Sequence, residues 1–308
     1  MIELDSVHKI YRPLVGRAVH AVDGVSLRVE RGEVLGLAGP NGAGKSTIIA
    51  LLLGFLHPTA GRVRIAGLGP RAYVERHGVG YVPEVIAMPP RWRAESALRR
   101  LAVLAGVPER ELATCVEGVV NRLGLDEHRR KAIKALSKGT LQRLGIAQAL
   151  VRDADVLILD EPTQGLDPVW TQRFRTLVAE LRRPERVILV ASHNLDELER
   201  IADRVAILDR GRVQRVVATG LRGAAAATTV FRLAVASGAD DVRVAFPDAR
   251  ALGAGEFEVR VPDLAALNRG LGALLARGVL LAAVAPAHSA LEQQFREAVA
   301  GDGTPRGA

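Results

Sequence analysis

The stretch GPNGAGKST, Gly39 to Thr47, decides how the rest of the chain is interpreted. It follows the apolar run EVLGLAG and precedes the apolar run IIALLLGFL, so the pattern predicts a strand, a glycine-rich loop and a helix. It matches the phosphate-binding pattern G-x-x-x-x-G-K-[ST], in which glycines let backbone N–H groups point at phosphates. A glycine-rich surface turn is the alternative, and the strand–helix context favours the nucleotide site. The predicted nucleotide contacts are Gly39, Pro40, Asn41, Gly42, Ala43, Gly44, Lys45, Ser46 and Thr47, with the Lys45 ammonium on the phosphates and the Ser46 hydroxyl on Mg²⁺.

A second apolar run, VLILDEP at Val156 to Pro162, predicts a buried strand that ends in two carboxylates. Sheets of the α/β class bind ligands at the carboxyl ends of their strands. We expect Asp160 to hold Mg²⁺ through water and Glu161 to polarise an attacking water. Two carboxylates that only solvate a strand end are the alternative, and the phosphate loop weighs against it.

A third apolar strand, within VILVASHN, ends at His193. A lone histidine is more often a structural residue than a catalytic one. Here it stands where a strand of the same sheet gives way to a helix, within reach of a γ-phosphate. The sequence therefore makes His193 a candidate catalytic residue.

The stretch LSKGTLQRLGIAQAL, Leu136 to Leu150, predicts a second helix start that faces an anion. Ser137 at the N-cap and Gly139 after it would leave backbone N–H groups free. Leu141 and Leu144 are three residues apart, a spacing typical of an amphipathic helix. One nucleotide-binding domain would then carry two anion-binding helix starts.

Strand and helix patterns alternate through the first 220 residues, and this predicts a buried, largely parallel α/β sheet. An Arg-rich helical part occupies about residues 86–150. After a small-residue linker, LRGAAAATT, come the segments FRLAVAS, DVRVAFP and FEVRVP, a helix LAALNRGLGALLARG, a strand VLLAAVAP and a closing helix SALEQQFREAVAG. We expect two domains, 1–220 and a smaller α+β domain at 221–308.

Composition sets further limits on function. The 308 residues are 48% hydrophobic and 25% charged, which is typical of a globular protein. The net charge of +8 is compatible with nucleic acid, an anionic membrane surface or nucleotide phosphates as partners, or with a genome biased towards Arg codons. The apolar run IIALLLGFL is far shorter than the roughly 18 to 20 residues that span a bilayer. The polar N-terminus predicts no signal peptide, and a lone Cys115 fits a reducing cytosol.

Taken together and in this order, the motifs resemble those of the ATP-binding subunits of ATP-binding cassette (ABC) transporters over about residues 1–220. LSKGTLQRL resembles the family's signature, DVLILDEP its second nucleotide motif, TQGLDP its D-loop, and Ser192–His193 its switch histidine. Tyr11 stands where the family stacks an aromatic ring on adenine, although PLVGR after it looks like a short insertion. The resemblance implies a P-loop NTPase cassette with a RecA-like core, a mixed sheet and a helical subdomain.

Three positions depart from the family's pattern. Glu84 in VGYVPE stands where the family has Gln, and a carboxylate there can still coordinate Mg²⁺. Gln164 stands where the D-loop begins with Ser, and Lys138 replaces a Gly of the signature. None of these replacements removes Lys45 or the two carboxylates at the strand end.

The resemblance implies that two copies dimerise head to tail and hold two ATP molecules with Mg²⁺. Each ATP would lie between the phosphate loop of one copy and the signature of the other, with Asp167 bridging the halves. Glu161 would act as the base and His193 would contact the γ-phosphate. The partner-facing residues implied are Ser137, Lys138, Gly139, Gln142 and Asp167.

The same resemblance implies a separate integral membrane permease, a location on the inner face of the cell membrane, and export as the direction of transport. Trp92 and the run Met88–Pro89–Pro90 are candidates for the permease-facing surface, and a buried structural Trp is the alternative. The ending PAHSALEQQFREAV resembles the small appended domain of the ABC-2 and drug-exporter subgroup, where it would make dimer or partner contacts or simply extend the packing.

Two other functions stay open. One is a soluble ATPase of the same superfamily that acts on nucleic acid or ribosomes, and the other is a regulatory module gated by ATP. The single phosphate loop, the absence of a heptad run and the scattered basic residues argue against the first, so no nucleic acid partner is expected. The presence of Glu161 and His193 argues against the second.

Overall fold

The computed structural model describes residues 1–12, 16–219 and 230–287, together with residues 291, 292, 294, 295 and 298. The chain divides into two compact units, Met1–Arg222 and Gly223–Ala308. In the first unit the elements follow one another as β1 (Ile2–Tyr11), β2 (Val19–Val29), β3 (Val34–Ala38), α1 (Lys45–Leu52), β4 (Ala60–Ile65), α2 (Pro70–His77), β5 (Gly80–Val82), α3 (Ala94–Leu104), α4 (Glu109–Arg122), α5 (Lys138–Leu150), β6 (Val156–Asp160), α6 (Pro168–Leu181), β7 (Val187–Ser192), α7 (Leu195–Ile201), β8 (Arg204–Asp209) and β9 (Arg212–Ala218).

The central sheet of this unit has the strand order β5-β6-β7-β3-β8-β9 within the described residues. All neighbours are parallel except β8 and β9, which are antiparallel. Every residue of β3, β6 and β7 is buried. Helices cover both faces of a parallel sheet, so a continuous apolar run places apolar side chains on both buried faces. The expected mixed α/β sheet is confirmed.

Strand β3 occupies the middle of this order, with β7 on one side and β8 on the other. The strands β6, β7 and β3 run in the same direction, so their carboxyl ends meet at one edge of the sheet. The phosphate loop, the two carboxylates and His193 therefore follow neighbouring strands. This topology brings these three motifs together at one edge of the sheet.

A second sheet, β2-β1-β4, is antiparallel and shares a core with the first. One face of its strands is apolar, including Ile2, Leu4 and Val7 of β1, and these side chains pack with α1 and the central sheet. The alternation in the sequence IELDSV therefore marks a sheet with one buried face.

Helices α3, α4 and α5 form the helical part that the Arg-rich sequence at about residues 86–150 predicts. The expectation that α5 is amphipathic is wrong, because eight of its residues are buried and they are spread around the helix. It packs against β5 on one side and against α3 and α4 on others. Gly145 permits a further contact, with the loop between β5 and α3, since a Cβ there would overlap the Ile86 side chain.

The second unit contains a sheet of order β11-β12-β10-β13 within its described residues. The segment DVRVAFP alternates apolar and polar residues but is mostly helical, because Val242 and Phe246 are four residues apart and both are buried, while Val244 is exposed. The predicted closing helix and the predicted linker fall largely outside the described residues. The elements are β10 (Val230–Ser237), α8 (Ala239–Ala245), β11 (Arg250–Gly253), β12 (Glu256–Arg260), α9 (Leu264–Ala276) and β13 (Leu280–Pro286).

Among the helices of the described residues, none combines the length and the apolar character needed to cross a bilayer.

Candidate functional site

The phosphate loop connects the end of β3 to the start of α1, as its sequence predicts. Gly44 has φ 108°, and a Cβ there would lie 2.5 Å from the Ala21 carbonyl oxygen, so only glycine fits. A Cβ at Gly39 would lie 2.6 Å from the Leu208 carbonyl oxygen. No side chain caps the first turn of α1, which begins at Lys45. Its first N–H groups are therefore directed into the loop, where an anion would meet them.

The Lys45 ammonium lies inside this loop. Its Nζ donates hydrogen bonds to the carbonyl oxygens of Gly39 at 2.7 Å and Pro40 at 3.3 Å, and the residue is buried. A buried ammonium needs such acceptors, and phosphate oxygens would be stronger ones. The loop thus holds a cation in place before any nucleotide arrives.

A cleft of about 510 Å³ opens above the phosphate loop. It joins the loop to residues from distant parts of the sequence, so the structure brings together most of the predicted site. It also includes four residues that belong to none of the sequence motifs, namely Val19, His20, Ala21 and Arg210. The predicted residues that line it are Tyr11, Asn41, Gly42, Ala43, Gly44, Lys45, Ser46, Thr47, Glu84, Asp160 and Glu161.

Asp160, at the end of β6, is buried beside other carboxylates. Burial, with the charges of Glu84 and Glu161, raises its pKa to about 6, and the Lys45 ammonium offsets part of that rise. A divalent cation would relieve the same repulsion. Hard oxygen ligands of this kind suit Mg²⁺, so the donor set of Ser46, Glu84 and Asp160 fits that ion.

Glu161 is held by three contacts from the end of β7. Its Oε2 accepts a hydrogen bond from the Ser192 hydroxyl at 3.0 Å, and its Oε1 accepts one from the His193 backbone N–H at 2.9 Å. The His193 Nδ1 lies 2.9 Å from the same Oε1. Glu161 also has φ 46°, a conformation that is uncommon for a residue with a side chain and that is often found at functional sites.

The role of Ser192 in holding Glu161 is not evident from the sequence. The only signal was a small hydroxyl residue immediately before the histidine, and its partner is 31 residues away in the chain. Only the pairing of β6 with β7 shows that the two side chains meet.

The predicted partner-facing residues lie outside the cleft. The Ser137 hydroxyl caps α5 by accepting a hydrogen bond from the Thr140 N–H at 3.2 Å, and Ser137 and Lys138 are exposed. Asp167 caps α6 by accepting a hydrogen bond from the Trp170 N–H at 2.8 Å. Neither helix start contributes to the described cleft around this chain's own phosphate loop.

Gln142 does not face outward with these residues. It is buried, and its Nε2 donates hydrogen bonds to the carbonyl oxygens of Glu161 at 3.3 Å and Pro162 at 3.0 Å. Its amide thus supports the backbone next to the carboxylates, whereas the resemblance implied contact with a second copy's nucleotide.

Comparisons with known proteins agree with this geometry. Residues 22–164 match the family model described as ABC transporter. The ABC transporter ATP-binding protein NatA of Bacillus subtilis is 33% identical over 201 residues, which are 64% of this chain and 81% of NatA. The chain belongs to the ABC transporter family of ATP-binding proteins.

The fold comparison supports the same family. The dimeric structure of MJ0796, a bacterial ABC transporter cassette, matches 73% of this protein and the whole MJ0796 chain. The TM-score is 0.63 and the sequence identity is 25%. The predicted P-loop cassette fold and the recognition of the family are confirmed.

Some relatives of this ABC chain are longer than the matched region. A Nod factor export ATP-binding protein I of Ralstonia nicotianae is 36% identical over 198 residues, covering 62% of this chain and 60% of that protein. An uncharacterized ABC transporter ATP-binding protein of Nostoc is 36% identical over 219 residues, covering 69% of this chain and 65% of the relative.

Proposed function

We propose that this ABC chain hydrolyses ATP as one of two copies and drives export through a separate membrane permease. The observation that carries the proposal is the cleft that joins the phosphate loop to Asp160 and Glu161. A phosphate cradle, a metal-binding carboxylate and a base at one sheet edge are the parts that phosphoryl transfer to water requires.

The cleft offers partners to both the phosphates and the adenine ring of ATP. The uncapped start of α1, Lys45 and the N–H groups of the loop would hold the phosphates, and the Tyr11 ring, 40% exposed at the rim, would stack on adenine. Ser46, Asp160 and Glu84 would hold Mg²⁺. When bound, that ion neutralises charge on the phosphates.

Glu161 is placed to accept a proton from the attacking water. Ser192 and the His193 N–H fix the orientation of its carboxylate, so it is ordered before the substrate arrives. The His193 ring is exposed and pairs with Glu161 through Nδ1, which leaves Nε2 to meet the γ-phosphate. Orientation of the base and the electrostatic environment would then supply most of the rate enhancement.

A second copy would complete each site. The starts of α5 and α6 are exposed and lie outside the chain's own cleft, as expected for residues that act on a neighbour's nucleotide. Ser137, Lys138, Gly139 and Asp167 would then face the ATP or the phosphate loop of the second copy. The dimeric state of the MJ0796 cassette is consistent with this arrangement.

The transport partner is a membrane permease. Relatives include a Nod factor export ATP-binding protein, and this favours export. The candidate permease-facing residues Trp92 and Met88 are partly buried, while Pro89 and Pro90 are exposed. Such a chain would work at the inner face of the cell membrane and would need no nucleic acid partner. The second unit would make dimer or partner contacts.

The substitution Glu161→Gln tests the proposal. Without the base, hydrolysis should fall on the order of 10²-fold or more, whereas ATP binding persists because the phosphate loop is unchanged. The variant should therefore accumulate as an ATP-bound dimer, measured by sedimentation velocity with and without Mg²⁺-ATP.

The matched control is Glu75→Gln, which neutralises an exposed glutamate on α2 that pairs only with Arg71 among the described residues. It should hydrolyse ATP as the unmodified chain does. Near-normal turnover in Glu161→Gln would refute the assignment of the base. Purification of the tagged chain from membranes with a polytopic partner tests the transport role.

A further inference from the structure

Trp170, in the first turn of α6, packs against two guanidinium groups. Its ring centroid lies 4.1 Å from the Cζ of Arg143 on α5 and 5.1 Å from the Cζ of Arg173 on its own helix. The ring also fills the space beside Gly124, because a Cβ there would lie 2.8 Å from the Trp170 ring. The contacts between these residues are not evident from the sequence.

Arg143 is the centre of this contact. Its Nη1 donates to the carbonyl oxygens of Leu123 at 3.0 Å and Gly124 at 2.8 Å, just after α4. Burial lowers the pKa of its guanidinium, and the negative charge of Asp167 acts in the opposite direction. One buried cation thus contacts the end of α4, the start of α6 and its own helix α5.

Hydrogen bonds from Arg143 continue to the start of α5. The Arg143 Nη2 donates to the Thr140 hydroxyl at 3.2 Å, and that hydroxyl is 2.8 Å from the Ser137 hydroxyl. Ser137 caps α5 and is one of the residues proposed to face a second copy's nucleotide. A chain of three hydrogen-bonded side chains therefore connects the Trp170 ring to that cap.

The loop before α6 also packs on the start of α5. A Cβ at Gly139 would lie 2.9 Å from the Gly165 carbonyl oxygen, and a Cβ at Gly165 would lie 2.9 Å from the Lys138 side chain. The loop that leads into α6 is therefore in direct contact with the start of α5. Asp167 follows in the same loop and caps α6 through the backbone of Trp170.

We infer that Arg143 and Trp170 are positioning residues, which fix the starts of α5 and α6 relative to each other so that both fit one second copy. The inference rests on the proposed function, because these two residues would arrange the surface that contacts the ATP of the second copy. Neither residue lines the chain's own cleft. Their loss should therefore weaken ATP-dependent dimerisation and leave nucleotide binding by a single copy intact.

The test uses Trp170→Ala in the full chain carrying Glu161→Gln, with sedimentation velocity in Mg²⁺-ATP as the measurement. We expect the dimer dissociation constant to rise about tenfold, within the usual range of coupling between sites. Binding of a fluorescent ATP analogue to the dilute monomer should not change. Trp170→Phe keeps an aromatic face for Arg143 and should restore the dimer to within about threefold.

A second variant, Arg143→Lys, keeps the charge but cannot span Leu123, Gly124 and Thr140 together. It should weaken the dimer in the same way, and its effect combined with Trp170→Ala should be smaller than the sum of the two. The matched control is Arg100→Ala, which removes a guanidinium stacked on the Trp92 ring at 4.4 Å. This control should dimerise as the parent does.

The inference is overturned if Trp170→Ala and Arg143→Lys both dimerise as tightly as the Glu161→Gln parent. It is also overturned if ATP binding by the single copy falls as much as dimerisation does. Failure of the parent itself to dimerise with ATP would instead refute the proposed function. The two failures are therefore distinguishable in one set of measurements.

Discussion

At the scale of single residues, the two adjacent carboxylates have different environments. Glu161 accepts hydrogen bonds from Ser192 and from the His193 N–H, which fix the orientation of its carboxylate. Asp160 is buried near two other carboxylates, and its pKa rises to about 6. Neighbouring acids in distinct surroundings can take distinct roles, one as base and one as metal ligand.

Asp160 should make the stability of the metal-free chain depend on pH. Its pKa in the folded chain lies above the usual 3.8, so the folded state binds this proton more tightly than the unfolded state. The free energy of unfolding should therefore fall as the pH rises from about 4 to about 6. Asp160→Asn removes this penalty, so the variant should be more stable than the unmodified chain at pH 8 by on the order of 2 to 3 kcal/mol.

Urea unfolding at pH 4, 6 and 8 in the presence of a chelator measures this difference. The gain in the variant should be largest at pH 8 and smallest at pH 4. Equal gains at all three values would show that the carboxylate of Asp160 titrates normally in the folded chain. Addition of Mg²⁺-ATP should stabilise the unmodified chain more than Asp160→Asn, because the variant lacks the anionic ligand.

At the scale of elements, helix α5 combines two environments. Its body is buried against β5, α3 and α4, while Ser137 and Lys138 at its start are exposed. The sequence predicted the start correctly from its cap, because capping is local. It did not predict the buried body, because Arg143 and Gln142 are polar residues that become buried only where backbone carbonyls of other elements accept their hydrogen bonds.

Lys138 is the unusual residue of this helix start. A cation at a helix N-terminus opposes the helix dipole by roughly 0.3 to 1 kcal/mol, and we propose that a γ-phosphate of the second copy offsets that cost. Lys138→Gly should thus weaken the ATP-bound dimer. The apparent ATP affinity of the dimer, measured in the Glu161→Gln chain, is the readout.

Lys134→Gly is the control, because it removes an exposed lysine four residues earlier that lies outside the capped turn. It should leave the dimer unchanged. If Lys138→Gly behaves in the same way, Lys138 is a solvated surface charge and nothing more.

At the scale of the whole molecule, a site shared between two copies makes hydrolysis depend on concentration. Below the dissociation constant of the dimer, the total rate should rise with about the square of the chain concentration at saturating ATP. A dilution series with a coupled phosphate assay measures this. A strictly linear dependence would mean that one copy hydrolyses ATP alone, and would contradict the shared site.

The sequence by itself determined the phosphate loop, the buried strands and the order of the motifs, because glycine conformation, apolar runs and helix caps are local properties. It left the structure of DVRVAFP undecided, because a short alternation suits a helix as well as a strand, and it did not identify α5 as a buried helix.

Only the tertiary structure decided which distant side chains meet. Ser192 reaches Glu161 across 31 residues of chain, because β6 and β7 are paired. Gln142 supports the end of β6 from 19 residues away, and Arg143 contacts Trp170, because helix packing brings these side chains together. Such contacts depend on sheet order and on the acceptors left by other elements. Neither is encoded in the local pattern around any one of these residues.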